Sequence, residues 1–73
     1  MEIKPGKYRH YKGNFYEVIG VGRHSETLEE VVVYRALYES EYGKNSLWVR
    51  PKAMFLEEVV LEGGKVPRFK FAG

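Results

Sequence analysis

Short runs of β-branched and aromatic residues, separated by turn-forming residues, set the pattern of this 73-residue chain. The longest run, residues 29–38, contains three consecutive valines followed by alternating aromatic and small or basic residues. β-Branched side chains lose rotamer freedom in a helix and pack well on a pleated sheet. Similar runs at residues 15–19 and 47–50 therefore predict a small, mostly β domain.

Turn-forming residues and glycines organise the first half of the chain. Residues 7–11 predict a first strand, which a turn joins to a second strand from Phe15 to about Gly22. Gly20 and Gly22 lie inside this second apolar segment. Glycine within a strand marks a bulge or a sharp bend, which a small barrel needs at its corners.

The valine-rich run also has a helical alternative. Thr27 and Glu30 have the spacing of a capping box, so a helix could extend from Leu28 to about Tyr42. Its apolar residues would lie irregularly around the circumference, and the valine triplet disfavours a helix. The strand is therefore the prediction for this segment.

Proline shapes the second half of the chain. Residues 47–49 predict a strand, which Pro51 ends because proline has no N–H. Proline is also favoured at the first position of a helix, so a single helical turn is predicted after it. Residues 57–61 predict a further strand, and residues 63–73 form either an edge strand or a loose tail. About five short strands and one helical turn predict a single domain over residues 1–73, a strongly bent SH3-like barrel. A sheet packed against one helix is the alternative.

Composition and charge narrow the function classes. The chain has no cysteine, which excludes disulfides, thiolate nucleophiles and cysteine-bound zinc. Its net charge is only +2, and basic residues at 4–12 and 65–70 flank acidic clusters at 26–30 and 57–62. This interleaving weakens the case for a continuous nucleic-acid-binding stripe. The chain shows neither a signal peptide nor a bilayer-spanning run, which predicts a soluble cytoplasmic protein without a membrane partner.

Several ordered segments together resemble a known family. They are residues 8–13 (YRHYKG), 24–27 (HSET), 32–34 (VVY) and 48–51 (WVRP), followed by Met54-Phe55. In this order and spacing they resemble the bacterial family called domain of unknown function 1653 (DUF1653), over roughly residues 4–60. The resemblance implies a small stand-alone bacterial domain and carries no established activity with it.

The polar segment His24-Ser25-Glu26-Thr27 contains the residue types of a catalytic triad. Neighbouring side chains of an extended segment point to opposite faces, so these residues do not form a triad by adjacency. A tight turn, with Ser25 and Thr27 bonding to the backbone, is the prediction, and a ligand-contacting loop is the alternative. His10 and His24 lack the spacing of a metal site. No catalytic residue, metal or cofactor is predicted.

Aromatic and basic residues interleave elsewhere and form the second candidate site. Alternation places Trp48 and Arg50 on one face of their strand and Leu47 and Val49 on the other. If Leu47 and Val49 belong to the core, Trp48 and Arg50 share an exposed or cleft-facing surface. Aromatic faces stack on bases or peptides, and guanidinium groups pair with carboxylate or phosphate.

The sequence thus predicts a non-enzymatic binding module for a protein or peptide, acting as a monomer or as a weak dimer through an edge strand. The predicted ligand surface comprises Tyr8, His10, Tyr34, Trp48 and Arg50, with His24, Ser25, Glu26 and Thr27 at its margin. A nucleic-acid-binding barrel that uses tyrosine and tryptophan stacking is the alternative. A small hydrolase or metal-dependent enzyme that uses His24 and Glu26 is the remote alternative.

Overall fold

A computed structural model of the chain describes residues 2–73 as a mainly β protein. In chain order its elements are β1 (Gly6–His10), β2 (Phe15–Arg23), β3 (Glu30–Ala36), β4 (Glu39–Ser40), β5 (Gly43–Lys44), β6 (Leu47–Pro51), α1 (Lys52–Phe55), β7 (Glu58–Leu61), β8 (Gly64–Pro67) and β9 (Phe69–Phe71). Within these residues no helix is long and apolar enough to cross a membrane.

The main sheet is antiparallel and has five strands in the order β6-β3-β2-β1-β9. β4 pairs with β5 and β7 pairs with β8 in two separate hairpins. In the described part of the chain β6 and β9 are the two edges of the main sheet and do not pair with each other. The mainly β prediction is confirmed, whereas closure of the sheet into an SH3-like barrel is not.

A bulge interrupts the pairing of β2 with β3. Val18 lies opposite Tyr34 and Gly20 lies opposite Val33, so Ile19 is the extra residue. The predicted irregularity around Gly20 is therefore present, and an extra residue of this kind bends and twists a strand.

The valine-rich segment forms a strand, as predicted, and the helical alternative is wrong. Leu28 has a φ of +63°, the left-handed conformation, at the position where the helix would begin. β3 then alternates between the two faces of the sheet and buries Val32, Tyr34 and Ala36 on one of them. We call this buried side the inner face.

The predicted helical turn follows Pro51 and supplies the core with one aromatic ring. α1 directs Phe55, 2% exposed, beneath the inner face, where its ring stacks on Phe69 with centroids 4.2 Å apart. The core cluster comprises Tyr8, Val18, Val32, Tyr34, Phe55 and Phe69. Since Phe69 belongs to β9, residues near the end of the sequence are part of the core.

Candidate functional site

The register of β6 decides which of its side chains face the core. Trp48 lies opposite Tyr34, and Arg50 lies opposite Val32. Directly opposed residues in an antiparallel pair share a face, so Trp48 and Arg50 project to the inner face. Leu47 and Val49 are 63% and 65% exposed on the outer face, so the condition that they belong to the core is not met.

An open cleft of about 190 Å³ lies on the inner face beside the part of the sheet that α1 covers. Its lining residues, which define the aromatic cleft, are Tyr16, Tyr34, Tyr38, Trp48 and Arg50. Tyr34 is only 4% exposed and forms the floor, where it separates the core from the cleft. The Tyr34 side chain therefore belongs both to the hydrophobic core and to the lining of the cleft.

Two tyrosine hydroxyl groups hold one side of the aromatic cleft in place. The hydroxyl oxygens of Tyr16 and Tyr38 are 2.9 Å apart and hydrogen-bonded. The Tyr16 ring meets Tyr34 and Tyr38 edge to face, at centroid distances of 5.5 and 5.6 Å. Burial, together with the hydrogen bond to Tyr38, raises the pKa of Tyr16, so its phenol stays protonated at neutral pH. This side offers fixed rings rather than mobile ones.

Trp48 forms the opposite wall and is also braced. Its Nε1–H donates to Ser46 Oγ at 3.1 Å, and the Tyr42 ring packs edge to face at 5.3 Å. The side chain nonetheless remains 38% exposed. A rigid, accessible indole loses little side-chain entropy when a ligand covers it.

Arg50 supplies a positive charge at the cleft. Its guanidinium carbon lies 5.4 Å from the centroid of the Phe69 ring, a cation–π contact. The ion pairs of the described residues join Arg35 to Glu17, Lys52 to Glu30 and Arg68 to Glu57. Arg50 is in none of them, so no carboxylate of the described chain neutralises it within ion-pair distance.

His10 lies half-buried beside the aromatic cleft, close to several cationic side chains. Its ring centroid lies 4.9 Å from that of Phe69 and 6.2 Å from that of Tyr16, and its Nδ1 accepts the Lys12 backbone N–H at 3.2 Å. Burial lowers the pKa of His10, and the charges of Arg50, Arg68 and Lys12 lower it further. A group with net negative charge would be favoured here.

The segment from His24 to Thr27 forms a self-contained turn between β2 and β3. Nδ1 of His24 accepts the backbone N–H groups of Glu26 and Thr27 at 3.1 and 3.3 Å. Oγ1 of Thr27 accepts the N–H of Glu29 at 3.2 Å. The turn interpretation thus describes this segment, although the imidazole of His24, rather than Ser25, provides the main acceptor.

This turn lies far from the aromatic cleft along the β2–β3 ladder. Arg23 pairs with Glu30 next to the turn, whereas Tyr16 pairs with Ala36 at the other end. The structure therefore does not bring the turn and the cleft together. Among residues 2–73 no group of three metal-ligating side chains is close enough to hold a metal ion.

Tyr8 is also absent from the cleft, because its side chain is buried in the core. It is 7% exposed, packs edge to face on Phe55 at 5.5 Å, and donates its hydroxyl hydrogen to the Lys4 carbonyl at 2.8 Å. The hydroxyl is satisfied from within the chain, which is how a tyrosine is accommodated in a small core. Of the predicted surface, Tyr34, Trp48 and Arg50 meet at the cleft and His10 adjoins it.

Tyr38 is a cleft residue that the sequence reasoning missed. The alternation Tyr34, Ala36, Tyr38 carries the inner-face pattern of β3 two residues past its end, and that signal was present in the sequence. A larger depression of about 470 Å³ lies elsewhere, near residues 2–5. There Lys52 and Glu30 pair at 3.7 Å, so these two charges neutralise each other.

Comparison with known proteins places the chain in a family without assigning a ligand. Residues 6–71 match the family described as "Protein of unknown function (DUF1653)". The crystal structure of a protein belonging to DUF1653 from Bordetella bronchiseptica is similar, with a TM-score of 0.86 and 41% sequence identity. The match covers 97% of this chain and 88% of that one. No curated protein matches the chain.

Proposed function

Because the chain belongs to the DUF1653 family, whose function is unknown, we propose a function from the site itself: a non-enzymatic module that binds a protein segment or peptide in the aromatic cleft. The observation that carries this proposal is the pairing of Trp48 with Arg50. An accessible, braced indole stands beside a guanidinium that no carboxylate of the described chain neutralises. Tryptophan, tyrosine and arginine are the residues that contribute most to binding energy at protein interfaces.

The size of the cleft favours a peptide over a small metabolite. Sites that enclose a small molecule have volumes of roughly 300–1,000 Å³. The aromatic cleft has about 190 Å³ and is open to solvent. A cleft of this size accepts one anchoring side chain, while the rest of the ligand lies on the surrounding surface.

The charge distribution favours a peptide over nucleic acid. Of the twelve basic residues in the chain, Arg35, Lys52 and Arg68 each pair with a glutamate. Such pairing reduces the positive surface that would follow a phosphate backbone. Arg50 is the one cationic residue among the five that line the aromatic cleft, and one guanidinium beside aromatic rings suits one carboxylate next to an apolar group.

Binding of isotope-labelled protein to peptide and oligonucleotide pools, followed by chemical-shift perturbation, tests the proposal. Trp48→Ala should lower peptide affinity at least tenfold, about 1.4 kcal/mol, since it removes the wall of the cleft. Phe15→Ala is the matched control, because Phe15 is also 38% exposed but lies on the outer face. The affinity of the Phe15→Ala variant for the peptide should change less than about twofold.

The salt dependence separates the two ligand classes. Peptide affinity should fall only shallowly with added salt, because one ion pair contributes. A steep fall, with oligonucleotides preferred over peptides, would refute the peptide proposal in favour of nucleic acid. Equal effects of Trp48→Ala and Phe15→Ala would refute the assignment of the cleft.

A further inference from the structure

The free edge of the main sheet runs along the aromatic cleft. Within residues 2–73, β6 pairs with β3 on one side and with no strand on the other. Trp48 and Arg50, two of the five cleft residues, belong to this same edge strand. Any chain that extends the sheet at β6 would therefore pass beside the cleft.

The hydrogen-bond pattern shows which backbone groups of β6 are available. The Ala36 N–H donates to the Ser46 carbonyl at 3.0 Å. Because hydrogen-bonded pairs alternate along an antiparallel ladder, Trp48 and Arg50 also direct their backbone groups to β3. Leu47 and Val49 consequently direct their N–H and C=O groups away from the sheet.

The two edges of the sheet differ in how they are protected. β9 has three residues, with Lys70 at its centre, and the short length and the charge both discourage further pairing. β6 has five residues, of which only the last, Pro51, lacks an N–H, and it carries two apolar side chains, Leu47 and Val49, that are 63% and 65% exposed. An exposed apolar edge of this kind is a template for another strand.

The side chains of an added strand would point alternately to the two faces of the sheet. Residues opposite Trp48 and Arg50 would lie on the cleft side, where the guanidinium favours a carboxylate. Residues opposite Leu47 and Val49 would lie on the outer face and cover exposed apolar surface. The matching ligand therefore has an acidic residue near Arg50 on the cleft side and apolar residues opposite Leu47 and Val49.

We infer that the partner binds by adding an antiparallel strand to β6, as an extended peptide with an acidic residue on the cleft side near Arg50 and apolar residues over Leu47 and Val49. Antiparallel pairing matches the other pairs of the main sheet. Main-chain bonds to the edge supply affinity in such complexes, and alternate side chains supply specificity. The inference rests on the proposed function, since it specifies how the same site holds its peptide.

Amide hydrogen exchange on the full chain tests the inference with a short capped peptide of alternating valine and glutamate. The Leu47 and Val49 amides should exchange rapidly in the free chain and at least about tenfold more slowly at saturating peptide. The Trp48 and Arg50 amides, already bonded to β3, should be slow in both states and serve as the internal control. Unchanged exchange at Leu47 and Val49 with peptide bound would overturn the inference.

Backbone methylation of the peptide gives a second, independent readout. In the antiparallel arrangement the valines, opposite Leu47 and Val49, direct their N–H groups to β6. N-methylation of the valines should lower affinity at least about tenfold, and N-methylation of the glutamates should change it less than about threefold. Equal losses, or the reverse order, would overturn the inference. Replacing glutamate with glutamine should weaken binding about tenfold, because the charged partner of Arg50 is lost.

The two proposals fail in different ways. The peptide could bind, and Trp48→Ala could weaken that binding, while the Leu47 and Val49 amides stay unprotected from exchange. In that case the cleft assignment holds and strand addition is wrong. If no peptide binds, the proposed function fails as well. A second copy is the competing occupant of β6. A concentration-dependent dimer in analytical ultracentrifugation, with the Leu47 and Val49 amides protected without peptide, would overturn the inference.

Discussion

Truncation of Phe69 should destabilise the protein severely, because this residue of β9 belongs to the hydrophobic core. Its ring is 7% exposed and stacks on Phe55 at 4.2 Å. It also contacts Tyr16 and Tyr34 edge to face, at 5.5 and 5.7 Å. Phe69→Ala removes a ring that joins β9 to the helix and to the middle of the sheet.

The magnitude follows from these contacts. Truncating a buried phenylalanine to alanine lowers the free energy of unfolding by about 3–5 kcal/mol. Part of the loss is the transfer free energy of the removed ring, and the rest is the cost of the cavity left behind. Natural domains are stable by roughly 0.05–0.15 kcal/mol per residue, about 4–11 kcal/mol for a chain of this length. Phe69→Ala should therefore remove a large part of the free energy of unfolding. The expected fall in Tm is on the order of 12–40 °C.

Urea denaturation followed by circular dichroism measures this effect, and Phe71→Ala is the control. Phe71 belongs to the same strand and is the same residue type but is 45% exposed, so its truncation should cost about 1–2 kcal/mol. A loss of under about 1 kcal/mol for Phe69→Ala, or a larger loss for Phe71→Ala, would refute the packing of β9 against α1.

Three further substitutions probe other parts of the fold. Leu28→Gly should raise the free energy of unfolding by up to about 1 kcal/mol in urea titrations, because glycine adopts the +63° φ without steric cost. A lower free energy of unfolding for this variant would contradict the prediction. Burial and neighbouring cations lower the pKa of His10 below 6.5, so the unfolded chain binds the proton more readily. Stability should thus fall as pH drops through 6.5, and His10→Gln should flatten that profile in pH-dependent denaturation. Tyr16→Phe and Tyr38→Phe should each cost about 0.5–1.5 kcal/mol, and the double variant less than their sum, because one hydrogen bond is shared; full additivity would exclude that bond.

β2, β3 and α1 were predictable because their signals are local. Three consecutive valines restrict the backbone of β3, and Gly20 marks the bulge in β2. Pro51 likewise ends one element and begins α1, since its missing N–H suits a first helical turn. Each of these effects depends only on a residue and its immediate neighbours.

The burial of the two faces of β6 was not predictable, because it depends on distant residues. Alternation shows that Trp48 and Arg50 share a face, and that part of the prediction is correct. It does not show which face is buried, because Leu47 and Val49 are the more apolar pair and would be assigned to the core. The register with Tyr34, set by long-range pairing, reverses that assignment. Tyr8 is likewise placed by distant pairing, because it lies opposite Tyr16 in β2 and so projects to the inner face, where it joins the core.

The contact between Arg50 and Phe69 shows how so small a sheet can form both a core and a cleft. The two residues belong to β6 and β9, the opposite edges of the five-stranded sheet. Neighbouring strands are about 4.8 Å apart, so in a flat sheet these edges would be separated by roughly 19 Å. The guanidinium nonetheless lies 5.4 Å from the ring centroid. The long Arg50 and Phe69 side chains span part of that separation, and curvature of the sheet, to which the bulge at Ile19 contributes, accounts for the rest. Because Phe69 contacts the core on one side and Arg50 on the other, the packing that stabilises the fold also fixes the charged group of the aromatic cleft.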